Sequence, residues 1–343
     1  MKKSKLLLAA ALLVSGSLVS CGDKGPAKMT VGTGYSATFE NKAASTWAPA
    51  MSQVDLTAAF ASFDKDGKVI DARFDVVQLK FVANEAKDGL ALLNTNVDAS
   101  YSVTSKLELG DAYNMRKSSG IGKEVDEQIE AFADWTVGKT VAEVRAAIPE
   151  GAGHGEAVHA DLASSVTITV DAFIDALQCA YDNKTATTYD VVEGAQAGIA
   201  LQSGLAYNYG KPTKELDVVV AGAMVKDGKV VAGTFDQVVY PVAIAEDGSL
   251  SGDTSSKYLT NNVLKSKKVL KDAYAMQPAS DLEKGEWYQQ AEVLDAAVVG
   301  LGQAEITALV KGEGALAGCT MTASSYLAAY AKAVKYAPLA DVA

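Results

Sequence analysis

The chain has 343 residues, 49% of them apolar, with 31 Lys+Arg against 42 Asp+Glu and a formal net charge of −11. An acidic surface repels phosphate backbones, which excludes nucleic acid as a partner class. The length suggests about two domains of ~150 residues, each with enough apolar side chains for a core of its own.

The N-terminus reads as a targeting segment. Lys2, Lys3 and Lys5 form a basic head, Leu6 to Val14 is apolar, and Leu18-Val19-Ser20-Cys21 has the shape of a lipobox. A signal peptide over residues 1–20 is expected, cut before Cys21, whose thiol would carry diacylglycerol at the outer face of the cytoplasmic membrane. The apolar run is shorter than the ~20 residues a spanning helix needs. Residues 21–29, with Gly and Pro, read as a tether. Loss of residues 1–20 removes three lysines and no acids, which moves the net charge to −14. Cys179 and Cys319 then remain at positions that do not correspond between the repeats below, so buried free thiols are expected rather than a disulfide framework.

The chain contains itself twice. Lys65-Asp66-Gly67-Lys68-Val69 recurs as Lys226-Asp227-Gly228-Lys229-Val230, and Asp75 falls opposite Asp236. Ser105-Lys106, Leu109, Asp111-Ala112-Tyr113 and Met115 recur as Ser266-Lys267, Leu270, Asp272-Ala273-Tyr274 and Met276, all at an offset of 161. Later the offset is 153, where Thr167-Ile168-Thr169 meets Thr320-Met321-Thr322. Matching order over such a length indicates a tandem duplication. The expected boundaries are 30–183 and 190–337, with a linker at 184–189.

Each unit opens with a predicted β-hairpin. In the first, Phe60 to Phe63 leads into Asp66-Gly67, a dipeptide suited to a tight turn, and Val69 to Val76 leads out. The return strand alternates, with Ile70, Ala72, Phe74 and Val76 opposite Asp71, Arg73 and Asp75, which predicts a half-buried strand. Helices follow. Val125, Ile129, Phe132 and Ala133 make one apolar stripe. Thr140 with Glu143 is a capping-box pattern. The last helix carries Phe173, Ile174, Leu177, Ala180 and Tyr181 behind Asp171 as expected N-cap. Its counterpart carries Tyr326, Leu327, Tyr330, Ala333 and Val334 behind Ser324. The fold class is α+β, twice.

Just before these last helices lie Asp161-Leu-Ala-Ser164-Ser165-Val166-Thr167 and Gly314-Ala-Leu-Ala317-Gly318-Cys319-Thr320. Each sets a threonine in a run of small residues ahead of a helix N-terminus. Small neighbours admit a bulky group to the hydroxyl, and unpaired N–H groups with the helix dipole favour a phosphate there. These segments resemble the covalent flavinylation motif of FMN-binding domains, Asp-x-x-Ser/Thr-Gly-Ala-Thr, found in subunits of Rnf and Na+-translocating quinone reductase complexes. The resemblance implies FMN esterified to Thr167 and Thr320, up to two per chain, by a separate FAD:protein FMN transferase. Asp161, Ser164 and Gly318 match other motif positions. Ser165 and Val166 replace Gly and Ala in the first unit; Gly314, Ala317 and Cys319 replace Asp, Ser/Thr and Ala in the second. The β-branched Val166 is expected to crowd the turn. With the lipobox, the whole chain is similar to the two-domain extracellular electron-transfer flavoprotein lipoproteins of Gram-positive bacteria. That resemblance implies an electron carrier, rather than an enzyme with its own substrate, fed by a membrane quinone-linked NADH dehydrogenase. The alternative is a surface lipoprotein that binds flavin or another small ligand without a covalent link or a redox role.

Other patterns carry less. Trp135, Trp287, Tyr113 and Tyr274 could stack on a flavin ring, but aromatics at these spacings are more often core. His154, Glu156 and His159 lie in a Gly-rich run without the spacing of a one-face metal helix, and no metal is expected. Asp64-Lys-Asp66-Gly lacks the later ligands of a calcium loop. Ser118 to Glu124 lacks the first Gly and the Ser/Thr of a phosphate loop.

Overall fold

The computed structural model describes residues 26–46, 50–98, 102–280, 282–283, 285–311 and 316–338. The signal segment, Cys21, the start of the tether and Gly314 lie outside them. The first unit contributes β1 (Lys28–Lys42), β2 (Met51–Phe63), β3 (Val69–Ala83), β4 (Leu90–Leu92), α1 (Lys106–Leu109), α2 (Val125–Thr136), α3 (Val141–Ala147) and α4 (Asp171–Asp182). The remainder forms β5 (Tyr189–Asp190), β6 (Gln196–Leu205), β7 (Glu215–Lys226), β8 (Lys229–Ile244), β9 (Leu250–Gly252), β10 (Leu259–Thr260) and β11 (Val263–Leu264), then α5 (Lys267–Leu270), α6 (Trp287–Val298), α7 (Gln303–Lys311) and α8 (Ser324–Tyr336). The fold is α+β, with antiparallel sheets ordered β4-β3-β2-β1-β5 and β6-β7-β8-β9 and a small β10-β11 hairpin. Among the described residues no helix is long and apolar enough to cross a membrane.

The two main sheets pack face to face, and helices cover both outer faces. In β2, Ala58 and Phe60 enter the core between the sheets, while Ala59, Ala61 and Phe63 enter the core under α2 and α4. In β7, Val218 and Val220 face the first sheet, and Val219, Ala221 and Ala223 face α6 and α8. Burial on both faces explains why these strands read as nearly continuous apolar runs.

The bulge at Ser62/Phe63 is matched by one at Met224/Val225, which sets the strand correspondence at 162 for β2 and β7. Phe60 and Gly222 are therefore equivalent positions, and they meet: a Cβ on Gly222 would lie 2.1 Å from Phe60 Cγ. Contact between equivalent positions is the mark of a pseudo-twofold arrangement. Lys332 of α8 closes the units further, pairing with Asp98 and Glu108 at 2.9 and 2.8 Å.

Three expectations need correction. The return strand β3 is not half-buried. Its polar face packs on the second unit, where Asp71 accepts from the Ala197 amide at 2.7 Å and Arg73 Nε donates to the Ala197 carbonyl at 3.3 Å. Asp75 is buried, accepting from the Val76 and Leu107 amides. Neither unit opens with a hairpin alone, because β1 and β6 precede it as third long strands. Asp171 and Ser324 are not N-caps. They are the first helical residues, behind Val170 and Ala323, which have no capping side chain. The Thr140–Glu143 capping box is present, and Val125, Ile129, Phe132 and Ala133 are all buried. Cys179 and Cys319 are free thiols, the first half-buried and the second buried.

Candidate functional site

The two threonines are held by the same device in both units. At the start of α2, Glu124 accepts from the amides of Met115 and Arg116 at 2.7 and 2.9 Å. At the start of α6, Glu286 accepts from those of Met276 and Gln277, both at 3.0 Å. One turn further along stand Gln128 and Gln290, both fully buried. Gln128 Oε1 accepts from Thr167 N at 2.9 Å, Thr167 Oγ1 at 3.3 Å and Ile168 N at 3.3 Å. Gln290 Oε1 accepts from Thr320 N at 2.7 Å and Thr320 Oγ1 at 3.2 Å. Their Nε2 groups donate to the carbonyls of Lys123 and Gly285. The threonine amides are thus taken by a glutamine.

The two sites differ in access. Thr167 is 5% exposed, and its hydroxyl also lies 3.3 Å from the Ser119 carbonyl. Thr320 is exposed. Val166 does not crowd the turn: it is fully buried in the core beneath α2 and α4, as Cys319 is buried in the second helix-side core. Gly318 sits at φ +87, a conformation that favours glycine, and a Cβ there would meet the Val293 side chain at 3.6 Å, an ordinary contact. Ser165 at the corresponding position is outside that region, so the two turns take different paths. Asp161 and Ser164 face solvent. The Asp161 carboxylate lies 3.4 Å from Trp135 Nε1, and its amide donates to His159 Nδ1 at 3.1 Å. Among the described residues no hydrogen bond joins Asp161 or Ser164 to Thr167.

A cavity opens on equivalent strand positions in each unit, although only the first also reaches the turn that follows the threonine. The first, about 290 Å³, is lined by Ser36 and Thr38 of β1, Asp55 and Thr57 of β2, and Ile168, Thr169 and Ala172 beyond Thr167. The second, about 660 Å³, is lined by Gln202 and Gly204 of β6, Asp217 and Val219 of β7, and Ser325. Strand register makes these the same positions. The second is larger because it reaches Leu90 and Leu92 of the first unit and runs under the 205–213 loop. Tyr207 and Tyr209 on that loop are 82% and 86% exposed, with ring centroids 5.4 Å apart.

Polar side chains carry the second cavity inward. Trp287 Nε1 donates to Tyr326 Oη at 3.2 Å, Tyr326 donates to Gln237 at 2.6 Å, and Gln237 Nε2 donates to both Asp217 oxygens at 2.8 and 2.7 Å. Burial pushes the Asp217 carboxyl above the usual carboxylate range, with the Gln237 bonds opposing it. In the first cavity Asp55 accepts from Gln53 at 2.6 Å, and Lys106 lies 4.9 Å from the Tyr113 ring. Of the four candidate stacking aromatics, Trp287 is core, Trp135 and Tyr274 are packed against the cores, and Tyr113 lines the first cavity. Gln128, Gln290, Asp55 and Asp217 were missed by the sequence reading. The two glutamines carried a signal, since each is a polar residue inside an apolar helical stripe in both copies. Among the described residues no group of three His, Cys, Asp or Glu is placed to hold a metal ion.

No family model matches the chain, and no solved structure shows significant similarity to it. It is similar to a chlorophenol reductase of Desulfitobacterium hafniense, at 34% identity over 98 residues. The match covers 27% of this chain and 30% of that protein, so it spans under a third of either.

Proposed function

We propose that this chain is a lipid-anchored, two-site flavin carrier. In this reading Thr167 and Thr320 bear FMN as phosphoesters, Cys21 holds the protein at the outer face of the membrane, and electrons pass from a membrane quinone-linked NADH dehydrogenase to acceptors outside the cell. The observation that carries it is the repetition of one arrangement: the same threonine held by the same glutamine, with a cavity on the equivalent strand positions of each unit. The partial similarity to a protein named as a reductase supports a redox role. The two repeats, with their motif-bearing turns, support the finer reading.

The residues fit the group well in the second unit. Thr320 is exposed, and the cavity, which reaches Ser325 at the start of α8, lies within the ~300–1,000 Å³ range of small-molecule sites. In the first unit the hydroxyl is buried and the cavity is at the lower edge of that range, so the contact with Ser119 must open first. Bound FMN would supply reversible uptake of electrons and protons. The chain's own residues hold and orient. Gln290 fixes the ester-bearing backbone, and Asp217, with its carboxyl raised by burial, can hold a proton at the cavity wall. A covalent link suits an exported protein, because a free cofactor is lost wherever its concentration falls below its dissociation constant.

Expression of the mature chain with an FAD:protein FMN transferase, followed by denaturing electrophoresis and in-gel fluorescence, tests this. A fluorescent band that disappears in Thr167→Val/Thr320→Val supports the reading. No band in the wild type favours the alternative, a surface protein that binds a small ligand without covalent attachment.

A further inference from the structure

Each unit presents one lysine in the same way. Lys106 and Lys267 are the first residues of α1 and α5. A buried carboxyl pins the turn that carries each of them. Asp75 accepts from the Leu107 amide and Asp236 from the Lys268 amide, both at 3.1 Å, and Ser266 Oγ donates to Asp236 at 2.5 Å. Carboxyl groups are costly to bury, and one lies under the same turn in both copies.

Each ammonium stands over a tyrosine ring. Lys106 Nζ is 4.9 Å from the Tyr113 centroid, and Lys267 Nζ is 5.0 Å from that of Tyr274, with the Trp287 ring at 5.8 Å. An aromatic face attracts an ammonium without neutralising it. Among the described residues neither lysine is in an ion pair, although the chain has 42 acids against 31 bases. Lys106 and Tyr113 line the first cavity with Ile168 and Thr169, the residues after Thr167. Lys267 acts on the carboxyl of Asp217, which lines the second. The acids that face these lysines are Asp55, held by Gln53 at 2.6 Å, in the first unit and Asp217 and Glu215 in the second. Burial pushes the last two above the usual carboxylate range, which reduces the negative charge opposing Lys267. Lys257 adds a second ammonium there, 4.3 Å from the Tyr274 ring.

We propose that Lys106 and Lys267 stabilise the negative charge that FMN gains on reduction, one lysine for each site. The inference rests on the flavin reading and adds to it the residues that set the potential. Two electrons and one proton passed from a quinol to bound FMN add one negative charge to it; the quinol becomes a quinone and its second proton goes to water. In a chain of net charge −11 that added charge is repelled. An unpaired ammonium in a cavity partly closed to water offsets the repulsion, and charge beside the ring is one means by which a protein tunes a flavin.

Redox titration of the FMN-loaded chain tests this, with loading read first by intact mass. Thr320→Val leaves FMN on Thr167 alone, and Thr167→Val leaves it on Thr320 alone. In the first background Lys106→Met is expected to weaken the reduced form at least tenfold relative to the oxidised one, a fall of about 30 mV for a two-electron couple. Lys267→Met is expected to shift that midpoint by less than about 10 mV. In the second background the two lysines exchange roles. Lys106→Arg and Lys267→Arg keep the charge and are expected to keep the midpoint. Lys106→Gln and Lys267→Gln replace any Met variant that does not fold. A loaded site whose midpoint ignores its own lysine overturns the inference and leaves the carrier reading standing. Reduced loading with an unchanged midpoint also overturns it, and assigns the lysines to the phosphate. A wild type that takes no FMN overturns both.

Discussion

Gln128→Ala and Gln290→Ala perturb the same device in two settings, and the structure sets different magnitudes for them. Gln128 Oε1 serves two backbone amides and the Thr167 hydroxyl in a site 5% exposed at Thr167. The hydroxyl keeps Ser119 as an acceptor, but the amides of Thr167 and Ile168 lose their partner. A buried donor left unsatisfied costs about 1–3 kcal/mol. Two such amides, one of them only partly buried, set a loss of about 2–4 kcal/mol for Gln128→Ala. Gln290→Ala frees one amide, at an exposed threonine that water reaches, and is expected to cost about 1 kcal/mol. Urea unfolding followed by circular dichroism measures both at one pH. A gap of about 2 kcal/mol between the variants is expected on this basis. Losses equal within about 0.5 kcal/mol, a change typical of surface positions, would refute the claim that Thr167 is the dry site and Thr320 the wet one.

Further outcomes follow from the same geometry. Burial pushes the Asp75 carboxyl up to about 7, its bonds from Ser105, Leu107 and Val76 only partly opposing this. Between the unfolded value and that one the native state binds the extra proton, so stability falls as pH rises through the window, by at most about 4 kcal/mol. Asp75→Asn accepts the same amides without the charge, so its unfolding midpoint should gain on the wild type between pH 5 and pH 8; parallel pH curves would contradict this. Gly222→Ala drives a Cβ to 2.1 Å from Phe60 Cγ, and is expected to cost about 1–3 kcal/mol in thermal unfolding. An unchanged midpoint would mean that the sheets do not approach so closely. In a time course of flavin transfer read by peptide mass, Thr320 should load before Thr167, because its hydroxyl is exposed; the opposite order would contradict the assigned access.

What the sequence disclosed was local or repeated. The stripe Val125, Ile129, Phe132, Ala133 and the Thr140 capping box depend on neighbours within a turn or two, and both are present. The duplicated stretches were legible because two copies constrain each other. β1 and β6 were not, because burial on both faces removes the alternation that marks a half-exposed strand, and both carry glycine at close approaches. Gly32 and Gly198 lie against the backbone carbonyls of Ala180 and Ala333, where a Cβ would come within 2.0 and 2.1 Å. The polar face of β3 suggested solvent, yet Asp71 and Arg73 meet the second unit, a contact between residues more than a hundred positions apart. At the site, the threonines could be read from the turn sequence. Their glutamine partners could not be paired with them, since Gln128 reaches Thr167 only through the packing of α2 on the turn.

The most direct test of the central claim is the intact mass of the denatured mature chain after expression with an FAD:protein FMN transferase. The account predicts two FMN-sized increments, one lost in Thr167→Val and the other in Thr320→Val. A chain that carries no increment and retains no flavin absorbance would contradict the carrier reading.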